Sequence, residues 1–293
     1  MKIEKMLKGY RIEEGKTFRL KDHDPGDTHG LKSGGKPEVR ELLAKGVEEL
    51  ARLQDVLAAQ NRWGLLLVFQ AMDAAGKDGT IKHVMSGVNP QGVQVTSFKA
   101  PSSEEQDHDF LWRIMKHFPE RGDIGIFNRS YYEEVLVVRV HPELLQKEKL
   151  PAPLVTKRIW RDRFEDINAL ERYLSRNGIA ILKFFLHLSK KEQKRRFMER
   201  LNRPEKNWKF STADVKEREH WEDYQDAYED MIQNTAMPNA PWYVVPADNK
   251  WFTRLVVAAA VVDTLKGLKL AYPKVDGEQK AELAAARKQL LAE

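Results

Sequence analysis

The run Gly64-Leu-Leu-Leu-Val-Phe-Gln70 breaks directly into Ala71-Met-Asp-Ala-Ala-Gly-Lys-Asp-Gly79, and a helix can open at Thr80-Ile81. An unbroken apolar run of this length reads as a strand covered on both faces, which in turn demands a parallel sheet between two layers of helices. A small-residue loop between such a strand and a helix is an anion cradle. Backbone N–H groups and the helix N-terminus face the anion, with Lys77 as a point charge among them. Gly76 and Gly79 let the backbone approach closely, and Ala74, Ala75, Asp78 and Thr80 complete the candidate phosphate-binding loop. The loop departs from G-x-x-x-x-G-K-[ST], with Ala71 at the first glycine position and Asp78 at the hydroxyl position. Asp73 and Asp78 would repel phosphate unless a divalent cation lay between them, so the loop reads as a magnesium–phosphate site. The plainer alternative makes Asp78 a helix N-cap and Asp73 part of a solvated turn.

The rest of the chain repeats the alternation. Val93–Phe98, Asp123–Phe127, Ile179–His187 and Trp242–Val245 are further strands, five in all, and helices are expected over 38–60, 78–87, about 103–118, 155–175, 189–201, 214–234 and 251–269. Ser103 to Gln106 offers a capping box for the third of these. Residues 1–36, with Asp24-Pro-Gly-Asp27 and Lys32-Ser-Gly-Gly-Lys36, read as a loosely packed polar arm. Residues 37–273 form the main domain, and the Ala/Lys/Glu-rich 274–293 a peripheral helical tail. Ligands of such sheets sit outside the carboxyl ends of the strands, where the loops after Gln70, Phe98, Phe127 and His187 gather.

Two further clusters fall at those ends. In Asp123-Ile-Gly-Ile-Phe-Asn-Arg-Ser-Tyr-Tyr-Glu-Glu134, Asp123 stands at the wrong end of its strand. Arg129 can fork onto phosphate oxygens, and Asn128 and Glu133 can offer oxygen ligands or water contacts. Tyr131 and Tyr132 read as packing residues. In the second cluster Arg196, Arg200 and Arg203 recur at helical spacing, either as a solvated charged face or as guanidinium groups over a phosphate chain. The polar stretch that follows has the composition of a lid, and its Trp208 and Phe210 could stack on a base or pack as a hinge.

Composition narrows the classes. The 293 residues carry a net charge of +5 and no cysteine, which favours a polyanionic partner and gives no thiolate chemistry. Met1–Lys5 lacks a signal-peptide core, and the longest apolar run, Leu255–Val262, is too short for a bilayer, so a soluble cytoplasmic protein is expected with no membrane partner. No histidine spacing suggests zinc, and no nucleophile triad is legible.

Gln70–Gly79, Asn89-Pro-Gln-Gly92, Phe127–Glu133, Leu182-Lys-Phe-Phe-Leu186 and Asn207-Trp-Lys-Phe210 with Asp214 together resemble the polyphosphate kinase 2 family, in order, from about residue 10 to about 273. The resemblance implies a P-loop kinase-like three-layer sandwich with a helical lid at about 200–216, and phosphoryl transfer between inorganic polyphosphate and nucleotides with Mg2+ (Mn2+ as an alternative). It places catalysis on Asp73, Lys77, Arg129 and Glu133, metal binding on Asp73, Asp78 and Glu133, and nucleotide binding on Asn128 and Glu133. Polyphosphate falls to the loop, Arg129, the Arg196–Arg203 stretch and Lys209. Many members have Asp where this chain has Asn128, and Asn with Tyr-Glu resembles the subgroup acting on both mono- and diphosphates. ADP, ATP and AMP, with GDP and GMP as alternatives, are thus the expected partners of a homo-oligomer (dimer or tetramer) that does not bind nucleic acid. An ATP-dependent small-molecule or nucleoside monophosphate kinase, and a non-catalytic polyanion-binding protein, are the competing readings.

Overall fold

The computed structural model describes residues 3–31 and 37–293; the Lys32–Lys36 turn read from the sequence lies outside them. Five strands run parallel: β2 (Gly64–Gln70), β3 (Val93–Ser97), β4 (Ile124–Asn128), β5 (Ile179–His187) and β6 (Trp242–Pro246). A sixth, β1 (Arg11–Ile12), adds antiparallel to β6, giving the order β1-β6-β5-β2-β4-β3. β2 is therefore central, hydrogen-bonded to β4 on one side and β5 on the other. The chain leaves β2 for the β3 edge, returns through β4, and then crosses to β5. The crevice of the sheet accordingly opens at the carboxyl end of β2, where Ala71 begins the loop.

All seven residues of β2 are buried, and they divide by the period of two. Leu65, Leu67 and Phe69 pack with Leu50, Leu53 and Leu57 of the Pro37–Gln60 helix and with the Lys250–Gly267 helix. Leu66 and Val68 face the other way, among Phe164, Ile167 and Leu170 of the Ile159–Arg176 helix and Tyr228, Met231 and Ile232 of the Trp221–Thr235 helix. Each such side chain stabilises the fold by about 1.5–3 kcal/mol relative to its exposed state. The loop after β2 is thus anchored in a fully buried central strand.

Several expected elements differ. The segment before residue 32 is not a loose arm: Met6, Leu7 and Tyr10 join one core layer and Phe18 and Leu20 the other. Straddling the β6 edge, it pairs Arg11 with Tyr243 and Ile12 with Trp242, which covers an otherwise open row of backbone groups. The capping box lies one residue earlier than expected, between Ser102 and Glu105. Its helix is a single turn, Ser103–Gln106, and a second turn follows at Trp112–Met115, because the Asp109 side chain accepts from the Leu111 N–H in between. The expected helix 214–234 is split into Thr212–Glu217, a tight turn at Arg218–His220, and Trp221–Thr235. Asp276 caps the tail helix Gly277–Leu290, which is exposed along its length. No helix among the described residues is long and apolar enough to cross a membrane.

Candidate active site

The loop Ala71–Gly79 turns on two left-handed residues, Ala74 (φ 63°) and Gly76 (φ 103°). Gly76 adopts this conformation without strain; Ala74 must be held there. The holder is Arg196, only 4% exposed. Its Nη1 donates to the carbonyls of Ala74 (3.0 Å) and Ala75 (2.7 Å), its Nη2 to those of Ala247 (2.6 Å) and Asp248 (3.2 Å), and its Nε to Glu192 Oε1 (2.8 Å). All five guanidinium N–H groups are thereby committed to protein oxygens. Arg196, expected to reach phosphate, borders the large cleft beside this loop, and with these donors engaged it also braces the phosphate loop.

Lys77 opens the Lys77–Val84 helix, and its ammonium donates to the Ala71 carbonyl at 2.9 Å. Burial lowers its pKa, with Arg129 adding to the effect, while the carboxylates of Asp73, Glu133 and Asp78 oppose it. Arg129 follows β4 in a left-handed conformation (φ 65°), its N–H on the Phe69 carbonyl at 3.0 Å. Its Nη2 donates to Asp73 Oδ1 at 3.1 Å and its Nη1 stands 3.8 Å from Glu133 Oε2. Glu133 Oε1 also accepts from Gln70 Nε2 at 2.8 Å. Asn128, the last residue of β4, donates to Asp78 Oδ1 at 2.7 Å.

Three cavities meet at Arg129. The largest, about 540 Å3, runs from the loop beneath residues 196–209 to the Lys250–Gly267 helix, lined by nine basic side chains against three acidic. The second, about 240 Å3, is more apolar, with Phe98, Phe110, Val137 and Val138 among its walls. The third, about 200 Å3, holds Asp73, Glu133, Asp214 and Glu217. Arg129 lines all three, while Asp73 and Glu133 each line two.

Loop residues Asp73–Thr80, Asn128, Arg129, Arg196, Arg200 and Lys209 border the large cleft together, as the sequence suggested. Arg203 does not: it lies outside, paired with Glu205 (2.9 Å) and Glu199 (3.1 Å). Arg200 is held over the cleft by Asp214 (3.3 Å) and the Lys209 carbonyl (3.2 Å). Trp208 is 78% exposed and packs on no core. Sequence reasoning missed Lys99, Lys206, Lys250 and Arg254, which also line the cleft. None belongs to a helical arginine repeat; Lys250 and Arg254 do share a helix face four residues apart, directly after a strand end, which was the available signal.

The three acidic residues expected to bind metal are divided. Asp73 shares the third cavity with Glu133 and the large cleft with Asp78, which stands beside Asn128. Among the described residues no three acidic or histidine side chains converge into a ready-made metal cage. The donor set still suits a hard cation completed by substrate oxygens and water: carboxylates of Asp73 and Glu133, and the Gln70 side-chain oxygen, which is buried without a partner.

A phosphate loop at the carboxyl end of a central parallel strand, beneath a basic helical cover, defines a P-loop kinase-like α/β protein. The chain belongs to the polyphosphate kinase 2 (PPK2) family, whose model matches residues 35–272. It is 54% identical over 257 residues to the ADP-polyphosphate phosphotransferase of Rhodopseudomonas palustris, covering 87% of this chain and 89% of that protein. It is 45% identical over 268 residues to the AMP/ADP-polyphosphate phosphotransferase of Meiothermus ruber, covering 92% and 96%. The crystal structure of polyphosphate kinase 2 from Arthrobacter aurescens superposes with a TM-score of 0.87 at 40% identity, covering 98% of this chain and 97% of that one.

Proposed function

We propose that this chain transfers phosphoryl groups between inorganic polyphosphate and ADP or AMP, with GDP and GMP as further acceptors. The observation that carries the reading is the junction at Arg129, where the long basic cleft meets two smaller cavities. A linear polyanion suits the first, and a nucleotide with an apolar base suits the second. The relatives named for ADP-polyphosphate and AMP/ADP-polyphosphate transfer support both the donor and the two acceptors.

An acceptor phosphate oxygen is already anionic near neutral pH, so a general base is not required. The barrier is repulsion between two polyanions, and positioning with charge neutralisation lowers it. Lys77 and Arg129 hold the phosphates in line, and the N–H groups of Gly76–Gly79, at the open end of the Lys77–Val84 helix, cradle them. Asp73 and Glu133 orient Arg129 through their ion pairs, and Arg200 and Lys209 hold the polyphosphate chain from the lid side. Asp73, Glu133 and Gln70 would hold Mg2+ (or Mn2+), which supplies charge neutralisation between donor and acceptor. The exposed tail helix, with Leu283, Leu290 and Leu291 turned outward, supports a homo-oligomer, which light scattering on the eluted protein tests.

The experiment is incubation with polyphosphate, ADP and magnesium and no other donor. ATP is the expected product, with ADP and ATP expected when AMP is supplied. Asp73→Asn and Lys77→Ala should each lower turnover by roughly a hundredfold. Absence of ATP from polyphosphate, with turnover of AMP by ATP retained, would replace this reading with an ATP-dependent kinase.

A further inference from the structure

β5 carries a lysine where only apolar side chains are expected. Lys183 sits in Ile181-Leu-Lys-Phe-Phe-Leu186, opposite Val68 of β2 and Trp242 of β6. It is 0% exposed, as is its partner Glu171. The ammonium donates to Glu171 Oε2 (2.7 Å), the Tyr132 hydroxyl (2.9 Å) and the Thr235 carbonyl (2.7 Å), so each of its three protons has an acceptor. The other Glu171 oxygen accepts from both the Tyr131 and Tyr132 hydroxyls at 2.8 Å. Thr235 Oγ1 in turn accepts from the Trp242 indole at 2.9 Å. Every member is paired, and none lines a cavity of the site.

A fully buried ion pair is not needed for stability, since apolar side chains of similar volume commonly serve as well or better. Its position suggests a different use. Tyr131 and Tyr132 are the residues between Arg129-Ser130 and Glu133. Arg129 holds a left-handed backbone (φ 65°) that a residue with a Cβ rarely adopts. Ser130 Oγ accepts from the Tyr132 N–H at 3.2 Å, and the Glu133 N–H returns to the Ser130 carbonyl at 3.1 Å, so the turn is stiff within itself. Besides the backbone bond to Phe69, the Gln70–Glu133 side-chain bond and the packing of the two rings, the turn is fixed to the sheet by the pair of hydroxyls on Glu171 and Lys183. Strained conformations at functional sites persist where the surroundings over-determine them.

We infer that Lys183, Glu171, Tyr131 and Tyr132 form a buried polar anchor of positioning residues, which sets Arg129 and Glu133 in register with the phosphate loop. The inference rests on the proposed polyphosphate reaction. A shift of about 1 Å in a group that aligns reactants costs on the order of a hundredfold in rate. The anchor therefore acts chiefly on kcat, since most of the basic side chains along the polyphosphate cleft, Lys99, Arg200, Lys206, Lys209, Lys250 and Arg254 among them, lie outside the turn it holds.

The test is the double variant Tyr131→Phe/Tyr132→Phe, which removes the hydroxyls and keeps the rings. The wild type must first make ATP from polyphosphate and ADP; its failure would count against the reaction and not against the anchor. The expected result is a folded protein with kcat lowered by about tenfold to a hundredfold and KM for polyphosphate within about twofold of wild type. In an Arg129→Ala background the same two substitutions should cost clearly less than in the wild type, because one of the two residues they position is gone. If the double variant does not fold, Tyr131→Phe alone, which leaves Tyr132 on Glu171, is judged by the same split. An unchanged kcat, or a loss of kcat that is undiminished when Arg129 is absent, overturns the inference.

Discussion

The Nη1 of Arg196 donates to the carbonyl of Ala74, 122 positions earlier in the chain, at 3.0 Å. The bond ties the left-handed corner of the phosphate loop to the lid-bearing helix Lys190–Asn202. With its five donors spent on the loop, Glu192 and the residues after β6, Arg196 separates two roles that a helical arginine repeat leaves mixed.

Arg196→Lys is the informative substitution. A lysine retains the charge, yet three donors on one nitrogen cannot replace the five that Arg196 spreads over Ala74, Ala75, Ala247, Asp248 and Glu192. We expect a loss of about 2 kcal/mol in stability, from hydrogen bonds to a charged group. kcat should fall more than KM for polyphosphate rises. A phosphate-contacting arginine gives the opposite pattern, a raised KM with an unchanged melting midpoint, so thermal unfolding read beside kinetics decides between them.

Arg200 and Asp214 are expected to couple. Their side chains are 23% and 20% exposed and 3.3 Å apart, and they join the two ends of the lid. The Asp214 carboxyl is pushed up chiefly by burial and then by Asp73, with Arg200 pulling the other way. Losing Arg200 would thus leave Asp214 facing Asp73 with only Arg129 and the Ser211 backbone to offset it. In a double-mutant cycle with Arg200→Ala and Asp214→Asn, kcat/KM should show a coupling of about 1 kcal/mol. Additive effects would mean the lid is not held by this pair.

Much of this arrangement is legible in the sequence. β2 is an unbroken apolar run and β5 one interrupted by Lys183, and their burial leaves the chain few options, so a parallel sheet covered on both faces follows from Leu65–Gln70 and Ile179–His187. β1 was not legible. Two residues have no period, and Arg11–Ile12 becomes a strand only because β6 offers an open edge. The candidate site divides in the same way. Lys77 and Asp73 are fixed by local loop geometry, whereas the direction of Arg196 and Arg203 depends on where the Lys190–Asn202 helix lies against residues 247 and 248. Helical spacing gives a face, and only packing decides which face is inward. Lys183 shows the converse: a charge within an apolar strand signals a buried partner, but the identity of Glu171 needs the fold.

The N-terminal segment should loosen in acid. His187, 8% exposed, ends β5 against Tyr10, His23 and Asp24, and its Nδ1 has no partner. Burial first, and then His23, lower its pKa from 6.5 to about 4. The folded state thus binds fewer protons than the unfolded chain between those values. Stability is fully present above pH 6.5 and declines as pH falls toward 4, by up to about 1.4 kcal/mol per unit from this group. Carboxylates contribute to any acid loss, so the measurement is the difference between wild type and His187→Gln. The variant's melting midpoint should fall less steeply between pH 6.5 and 4.5. Parallel curves would show that His187 is not the group responsible.

Lys250 and Arg254 should govern chain length. They line the large cleft on the side away from the cavities with Glu133, and they follow β6 at the start of the Lys250–Gly267 helix. Burial lowers the pKa of Lys250, with Arg196 adding to the effect, and an anionic ligand would reverse that balance by favouring the charged form. A short donor need only reach Lys77 and Arg129. A long one continues past Lys206 to Lys250, and each phosphate so contacted adds an attraction that salt screens over about 10 Å at 0.1 M. Lys250→Ala should therefore raise KM for long polyphosphate by about fivefold to tenfold, on the order of 1 kcal/mol for one partly screened contact. KM for tripolyphosphate and kcat with saturating long chains should both stay near wild type. The same substitution should flatten the rise of KM with ionic strength. Equal effects on short and long donors would move Lys250 from the far end of the cleft into the reaction itself.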